Sequence, residues 1–208
     1  NQLPSARRET FEQLYKDQHG QLQSGTIIEM HPKTYERMIL TYHQALDFIE
    51  EVFKQVIAKL DRTIDFEISI DEVATPTTPQ DHFFVASELQ ERDIKVSSIA
   101  PRFCGQFEKG IDYIGDLQEF EEEFKVHADI AKHFGYKLSI HSGSDKFSVF
   151  PIIGKHAAMA GYHIKTAGTN WLEAIRVIAS VDPDLYRQLH SKALNSLDAA
   201  RKYYIVSL

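Results

Sequence analysis

The sequence has little of what disulfide-rich, membrane-spanning or nucleic-acid-binding proteins require. Cys104 is the only cysteine among 208 residues, which excludes an intramolecular disulfide and a zinc site built from several cysteines. No apolar run approaches the roughly 20 residues that a membrane-spanning helix needs, and the first residues contain no apolar signal-peptide core. The net charge of −7 argues against nucleic acid as the main partner, because phosphates are bound by basic surfaces. A cytoplasmic location is therefore expected.

Common nucleotide-binding and nucleophile motifs are missing as well. The sequence contains no GxGxxG, no GxxxxGK[ST] and no GxSxG. What is present is the composition of a soluble globular protein, with 43% hydrophobic and 25% charged residues. A length of 208 residues suits one domain over residues 1–208.

The hydrophobic periodicity predicts an α/β protein. Strands are predicted at residues 66–70, 94–101, 136–141 and 162–168, with a fifth candidate at 26–30. Helices are predicted over residues 5–19, 33–61, 82–91, 117–134 and 151–160, from residue 170, and from 183 to 203. Strands that alternate with helices in this way predict parallel βαβ units, in a small open sheet or half of an eight-stranded barrel.

Polar side chains gather where each predicted strand ends. In parallel α/β folds, functional groups lie beyond the carboxyl ends of the strands. The four ends supply, in order, Asp71 and Glu72; Arg102; His141, Ser142, Ser144, Asp145 and Lys146; and Lys165, Thr166, Thr169 and Asn170. Four such ends together favour an active site for a sugar or an acid.

Several of these residues also have a structural interpretation. Asp71 and Glu72 could ligate a metal and transfer protons, or could form a solvated strand end. His141 could offer a ring nitrogen to zinc, manganese, nickel or cobalt, or pack at the sheet edge. His163 stands at the start of its strand, which favours a structural role, whereas His82 could face the site from a first helical turn.

The segment KTAGTN, residues 165–170, is a modest anion-binding pattern. The backbone after Gly168 enters a helix, whose free N–H groups favour a carboxylate or phosphate, and Lys165 adds positive charge. Thr169 could equally be an ordinary helix cap. Cys104 is expected to be a small buried side chain, and the aromatic residues around it to pack a loop.

Three longer segments resemble one enzyme family. KLSIHSGSDKFSVFP, HIKTAGTNWLEAIRVIA and APRFCGQFEKGIDYIGD are similar to the tagaturonate/fructuronate epimerase family of bacterial hexuronate catabolism, over Phe66 to Ala179. The resemblance implies a TIM-barrel-like α/β fold, a divalent metal ion (zinc, manganese, nickel or cobalt) and interconversion of D-tagaturonate and D-fructuronate. Because family members are longer than this chain, it also implies the C-terminal part of a larger barrel enzyme.

The resemblance implies roles for individual residues. The two ketouronates differ at a hydroxyl carbon β to the ketone, which retro-aldol cleavage and re-addition can invert. The implied metal ligands are Glu72 and His141, and the implied acid/base groups are Asp71 and Asp145. The substrate carboxylate would be bound by Arg102, Lys109, Lys146 and Lys165, and the hydroxyls by Ser142, Ser144, Thr166, Thr169 and Asn170.

Three alternatives remain open at this point. One is a ketohexose 4-epimerase acting on neutral fructose and tagatose. Another is an inactive partial barrel that binds a sugar acid or a partner chain. The third is an aldolase with a Schiff base on Lys146 or Lys165. The expected partners are a small-molecule ketouronate or ketose and a further copy of the chain, with no nucleic acid and no membrane.

Overall fold

The computed structural model describes residues 19–73, 75–166 and 169–203. Within these residues the chain forms an antiparallel strand pair, a four-stranded parallel sheet and seven α-helices. The helix predicted over residues 5–19 lies outside the described residues, except for His19, which begins a strand. No helix in the described residues is long and apolar enough to cross a membrane.

The strands confirm an α/β fold with parallel strands. The antiparallel pair consists of β1 (His19–Gln21) and β2 (Ile27–Glu29), so the fifth predicted strand exists but lies outside the parallel sheet. The parallel sheet holds its strands in sequence order: β3 (Glu67–Ile70), β4 (Ser98–Pro101), β5 (Lys137–Ile140) and β6 (Tyr162–Ile164). These strands are shorter than predicted. The arrangement is compatible with part of a barrel.

The helices are α1 (Pro32–Gln55), α2 (Pro79–Glu91), α3 (Leu117–Phe134), α4 (Phe150–Ala157), α5 (Thr169–Val181), α6 (Pro183–Asn195) and α7 (Leu197–Ala200). Helix α3 has the predicted bounds, because Asp116 caps its first turn and Gly135, with φ of 80°, ends it in the left-handed conformation.

Several predicted helix boundaries were wrong. Helix α1 ends at Gln55 rather than at residue 61, and α4 ends at Ala157 rather than at residue 160. Helix α2 begins at Pro79 rather than at residue 82, and Thr78 caps it. The Thr78 side chain accepts from the Asp81 N–H while the Asp81 carboxylate accepts from the Thr78 N–H, which is a capping box. The last predicted helix is divided into α6 and α7 at Ser196.

The two faces of the parallel sheet differ in chemistry, because successive side chains of a strand point to opposite faces. One face carries buried apolar side chains, among them Ile68, Ile99 and Leu138, which join the hydrophobic core together with α2 and α3. The other face carries polar residues along its strands, among them Glu67, Ser69, Ser98, Ser139 and His163. The polar face leads directly to the strand ends that the sequence singled out.

Candidate active site at the carboxyl ends of the strands

A cavity of about 760 Å³ lies beyond the carboxyl ends of β3, β4 and β5. The residues that line it include five predicted strand-end residues and a wall from the segment between β4 and α3. They are Asp71, Glu72, Val73, Pro101, Arg102, Phe103, Gly105, Gln106, Phe107, Glu108, Lys109, His141, Ser142, Ala200 and Tyr203. The structure therefore brings together Asp71, Glu72, Arg102, Lys109, His141 and Ser142 around one space.

His141 is held between two carboxylates. Its Nδ1 lies 3.0 Å from Asp71 Oδ2 and its Nε2 lies 2.9 Å from Glu67 Oε1. The hydrogen bond with Asp71 raises the pKa of His141, burial opposes this, and the bond with Glu67 adds to the increase. The arrangement favours the imidazolium form, which has a donor on each nitrogen and can supply a proton to a bound substrate.

Asp71 is the other half of this pair. Burial tends to raise its pKa, but hydrogen bonds from His141 and from the Ser69 hydroxyl lower it below the ordinary value. Asp71 is therefore a carboxylate that accepts hydrogen bonds at the edge of the cavity. This geometry suits the acid/base role that the sequence assigned to it, which stays a prediction.

Glu67 was missed by the sequence analysis. Its Oε2 accepts from Ser98 Oγ at 2.7 Å and lies 3.3 Å from His163 Nδ1. Burial tends to raise its pKa, but hydrogen bonds from Ser98, His141, Ser139 and His163 together lower it to about 2. The alternation of the EISI strand marks Glu67 as facing away from the core, but only the sheet register shows that His141 and His163 share its face.

Arg102 and Lys109 bring positive charge to the cavity. The Arg102 guanidinium donates to the Val73 carbonyl, and its backbone N–H donates to Thr77 Oγ1 at 2.9 Å. Lys109 reaches the cavity from the segment between β4 and α3. Their positions fit the predicted binding of a substrate carboxylate.

The predicted metal ligands lie in the same cavity but do not complete a metal site. Glu72 is exposed at its edge, and both ring nitrogens of His141 already meet carboxylates. Within residues 19–73, 75–166 and 169–203, no group of three or more His, Cys, Asp or Glu side chains is arranged to hold a metal ion. A bound metal would need donors beyond the described residues, or a rearrangement around His141.

The turn after β5 separates the predicted residues. Ser142, with φ of 50°, lines the cavity, whereas Ser144 is buried and its hydroxyl has no partner among the described residues. Asp145 also has a positive φ, of 59°, and its buried Oδ2 meets no hydrogen-bond partner in the part of the chain that the structure describes. Ser144 and Asp145 are not among the residues that line the cavity, so their predicted roles are not supported by this position.

Lys146 is not among the residues that line the cavity. Its side chain is fully buried, and Nζ donates to the carbonyls of Glu108, Ile111 and Ser144 at 2.6, 2.5 and 2.8 Å. All three ammonium protons are thereby engaged. Its predicted contact with the substrate carboxylate is at odds with this geometry.

The end of β6 contributes less than the sequence suggested. Lys165 and Thr166 are exposed and are not among the residues that line the cavity, although the charge of Lys165 acts on His141. Thr169 and Asn170 open helix α5, but their side chains lie outside the described part of the chain. The roles predicted for all four stay predictions.

Two further predictions concern residues outside the cavity. His82 does not face the site, because it is fully buried between His127 and Tyr136. Cys104 is buried, as expected, and burial followed by the charge of Glu123 raises the pKa of its thiol to about 11. That thiol is therefore no candidate nucleophile.

Comparison with known proteins finds similarity to tagaturonate epimerases. The model of a family described as UxaE, tagaturonate epimerase, matches residues 1–208. The tagaturonate/fructuronate epimerase of Thermotoga maritima is 42% identical over 203 residues, which are 97% of this chain and 41% of that protein.

Crystal structures of the fructuronate-tagaturonate epimerase from Cohnella laeviribosi are also similar. The native structure is 48% identical with a TM-score of 0.95, over 99% of this chain and 41% of that chain. The complex with one glycerol is 47% identical with a TM-score of 0.94, over 99% of this chain and 42% of that one.

The chain spans about two-fifths of the length of these relatives. The matched part is the N-terminal part of the curated relative, so the prediction of a C-terminal part was wrong. Successive βαβ units look alike in sequence, and four strands do not reveal whether further strands precede or follow them. The family model matches residues 1–208, which is the whole of this chain, so the chain belongs to the tagaturonate epimerase family.

Proposed function

We propose that this chain forms part of the active site of an enzyme that interconverts D-tagaturonate and D-fructuronate. The observation that carries the proposal is the Asp71–His141–Glu67 network, which lies at a sheet end, beside a cavity that Arg102 and Lys109 also line. Family membership and the names of the relatives support the same reaction.

The reaction requires a carbon–carbon bond to break. The epimeric carbon is β to the ketone, so its C–H is not acidified and simple enolisation cannot invert it. Removal of the hydroxyl proton from that carbon lets the bond to the neighbouring α carbon cleave, giving an aldehyde and an enediolate. Rotation of the aldehyde, re-addition of the enediolate and return of the proton give the epimer, with no net oxidation or reduction.

The residues around the cavity suit these steps. Asp71 can accept the hydroxyl proton and the His141 imidazolium can return one, because the two groups share a hydrogen bond of 3.0 Å. Arg102 and Lys109 would bind the substrate carboxylate, and Ser142 would bind a hydroxyl. A divalent metal would stabilise the enediolate as a Lewis acid. Glu72 and the neutral form of His141 would be among its ligands, and Asp71 would then return the proton in place of His141.

The first test is conversion of D-tagaturonate by the full-length protein, followed by NMR. Asp71→Asn should abolish conversion, whereas Asp65→Asn, at an exposed position outside the cavity, should not. Full activity in Asp71→Asn would remove Asp71 from the mechanism. Trapping the three-carbon fragments during turnover tests the bond cleavage, and turnover without fragment exchange would contradict it.

A neutral ketose is the nearest alternative substrate. The cationic side chains Arg102 and Lys109 favour a ketouronate over fructose or tagatose. Faster conversion of the neutral sugars would reverse this assignment. A Schiff base is disfavoured at Lys146, because its ammonium is enclosed by three carbonyls, and borohydride trapping would reveal one at Lys165.

A second candidate function is a partial barrel that requires a partner chain. This function is favoured because the chain spans only 41% of the length of the similar crystal structure. It is also favoured by exposed apolar side chains on α5, such as Trp171 at 63% and Val181 at 78% exposure. Chromatography with light scattering would distinguish a monomer from the expected homo-oligomer. The cytoplasmic location likewise stays a prediction.

A further inference from the structure

One wall of the cavity is formed by an irregular segment that the turn after β5 contacts. Residues Gly105 to Lys109 line the cavity and belong to the connection between β4 and α3. Its base is closed by one isolated antiparallel bridge between Gln106 and Ile114, with N–H···O distances of 2.8 and 3.3 Å. Within the tip, residues 107–113, Phe107 and Tyr113 pack against Phe120, and polar contacts from the turn after β5 join the remaining part.

Lys146 supplies such contacts from the turn after β5. Its ammonium reaches the tip carbonyls of Glu108 and Ile111 at 2.6 and 2.5 Å, and the Ser144 carbonyl of its own turn at 2.8 Å. The side chain is fully buried, and burial lowers its pKa against the opposing charges of Asp145, Asp112 and Glu108. A buried ammonium with three acceptors fixes the distance between the turn and the tip.

A second connection joins the same two segments. The Asp112 carboxylate in the tip accepts from the Ser148 hydroxyl at 2.8 Å and from the Ser148 N–H at 3.2 Å. The tip is thus attached to the turn at two places. The same turn begins with His141 and Ser142, so the cavity wall and these site residues share one anchored segment.

We propose that Lys146 is a positioning residue, which holds the 107–113 tip, and with it Lys109, in place for the substrate carboxylate. The inference rests on the proposed function for its consequence in catalysis, but the attachment of the tip is a property of the protein without substrate. It also explains why a lysine follows the strand-end histidine without lining the cavity.

The first measurement is hydrogen exchange of the Gln106 and Ile114 amides in the full-length protein without substrate. Lys146→Met should increase exchange at both amides by at least about tenfold, because two tip carbonyls lose a charged donor. Lys155→Met is the matched control, since that lysine is exposed and pairs with Glu121 on the surface. Unchanged exchange in Lys146→Met would overturn the inference.

The second measurement separates positioning from direct contact. Lys146→Met should raise KM for the ketouronate with little change in kcat. In the Lys146→Met background, Asp112→Asn should raise KM by a smaller factor than it does in the wild type, because both substitutions release the same tip. A higher KM with unchanged amide exchange and full additivity would make Lys146 a substrate contact instead. If Lys146→Met does not fold, Ser148→Ala tests the second connection by the same exchange readout.

The two proposals fail in different ways. Faster amide exchange in Lys146→Met, in a protein whose wild type converts no ketouronate, would overturn the proposed function and leave the attachment of the tip established. Normal conversion by the wild type, with unchanged amide exchange in Lys146→Met, would support the proposed function and overturn the attachment of the tip by Lys146.

Discussion

Nδ1 of His82 lies 2.9 Å from Nδ1 of His127, and both imidazoles are fully buried. Tyr136 Oη lies 2.7 Å from His82 Nε2, and burial raises the pKa of Tyr136 well above its usual range, so the phenol stays a donor. His82 Nδ1–H then donates to His127 Nδ1, and His127 Nε2 carries the remaining proton, 3.8 Å from Glu123 Oε1. The geometry thus fits two neutral imidazoles.

This histidine pair predicts loss of stability in acid. Burial, followed by the electrostatic effect of the neighbouring His127, lowers the pKa of His82 well below its ordinary value. Below about pH 6.5 the unfolded chain therefore binds more protons than the folded one, and the free energy of unfolding falls by up to about 1.4 kcal/mol per pH unit. Urea titrations between pH 7.5 and 5 check this. His82→Asn should flatten the slope, whereas the exposed His190→Asn should not; equal slopes in all three proteins would contradict the prediction.

The turn after His141 leaves no space for a side chain at Gly143. A Cβ at this position would meet Ile164 Cγ2 at 2.4 Å and the Ile140 carbonyl at 3.2 Å. Gly143→Ala should therefore cost about 1–3 kcal/mol of stability, measured by urea unfolding, because a β-branched neighbour and a backbone oxygen must move. Gly154→Ala in α4 is the matched substitution, since its Cβ would meet no atom within 4 Å. A Gly143→Ala protein as stable as Gly154→Ala would show that β6 shifts freely.

Replacement of Lys109 should affect KM differently for charged and for neutral substrates. A hydrogen bond to a charged group is worth about 1.5–3 kcal/mol, so Lys109→Gln should raise KM for D-tagaturonate about tenfold to a hundredfold. KM for a neutral ketose should stay within about twofold, since that sugar offers no carboxylate. Lys95→Gln removes an exposed lysine that does not line the cavity and serves as the control. An equal increase for both substrates would place the carboxylate elsewhere.

If His141 is a metal ligand, we expect its replacement by alanine to reduce the metal content of the protein. Elemental analysis of the full-length protein should find a near-stoichiometric divalent metal in the wild type and much less in His141→Ala, because ligand removal weakens metal binding. His190→Ala controls for binding to surface histidines. Equal metal content in the wild type and His141→Ala would place the ligands on other residues and leave His141 to its two carboxylates.

The sequence predicted those features that depend on neighbouring residues. Helix α3 was correctly bounded because Asp116 and Gly135 mark its ends locally. Asp71 and His141 were placed in one site because parallel strands share a carboxyl edge. The features that were missed depend on contacts distant in sequence. Glu67 joins the network only through the register of β3 to β6, and the direction of Lys146 follows from carbonyls more than 30 positions away.

The strands of the parallel sheet follow one another in space in the same order as in the sequence. A chain leaving the ribosome can therefore add each strand to an edge that already exists, without waiting for a later segment to insert between two earlier ones. The contact between Asp71 and His141 can form once β5 and the residue after it have emerged, before β6 has left the ribosome. The central pair of the candidate site would then be assembled early in synthesis, before the longer relatives have produced most of their length.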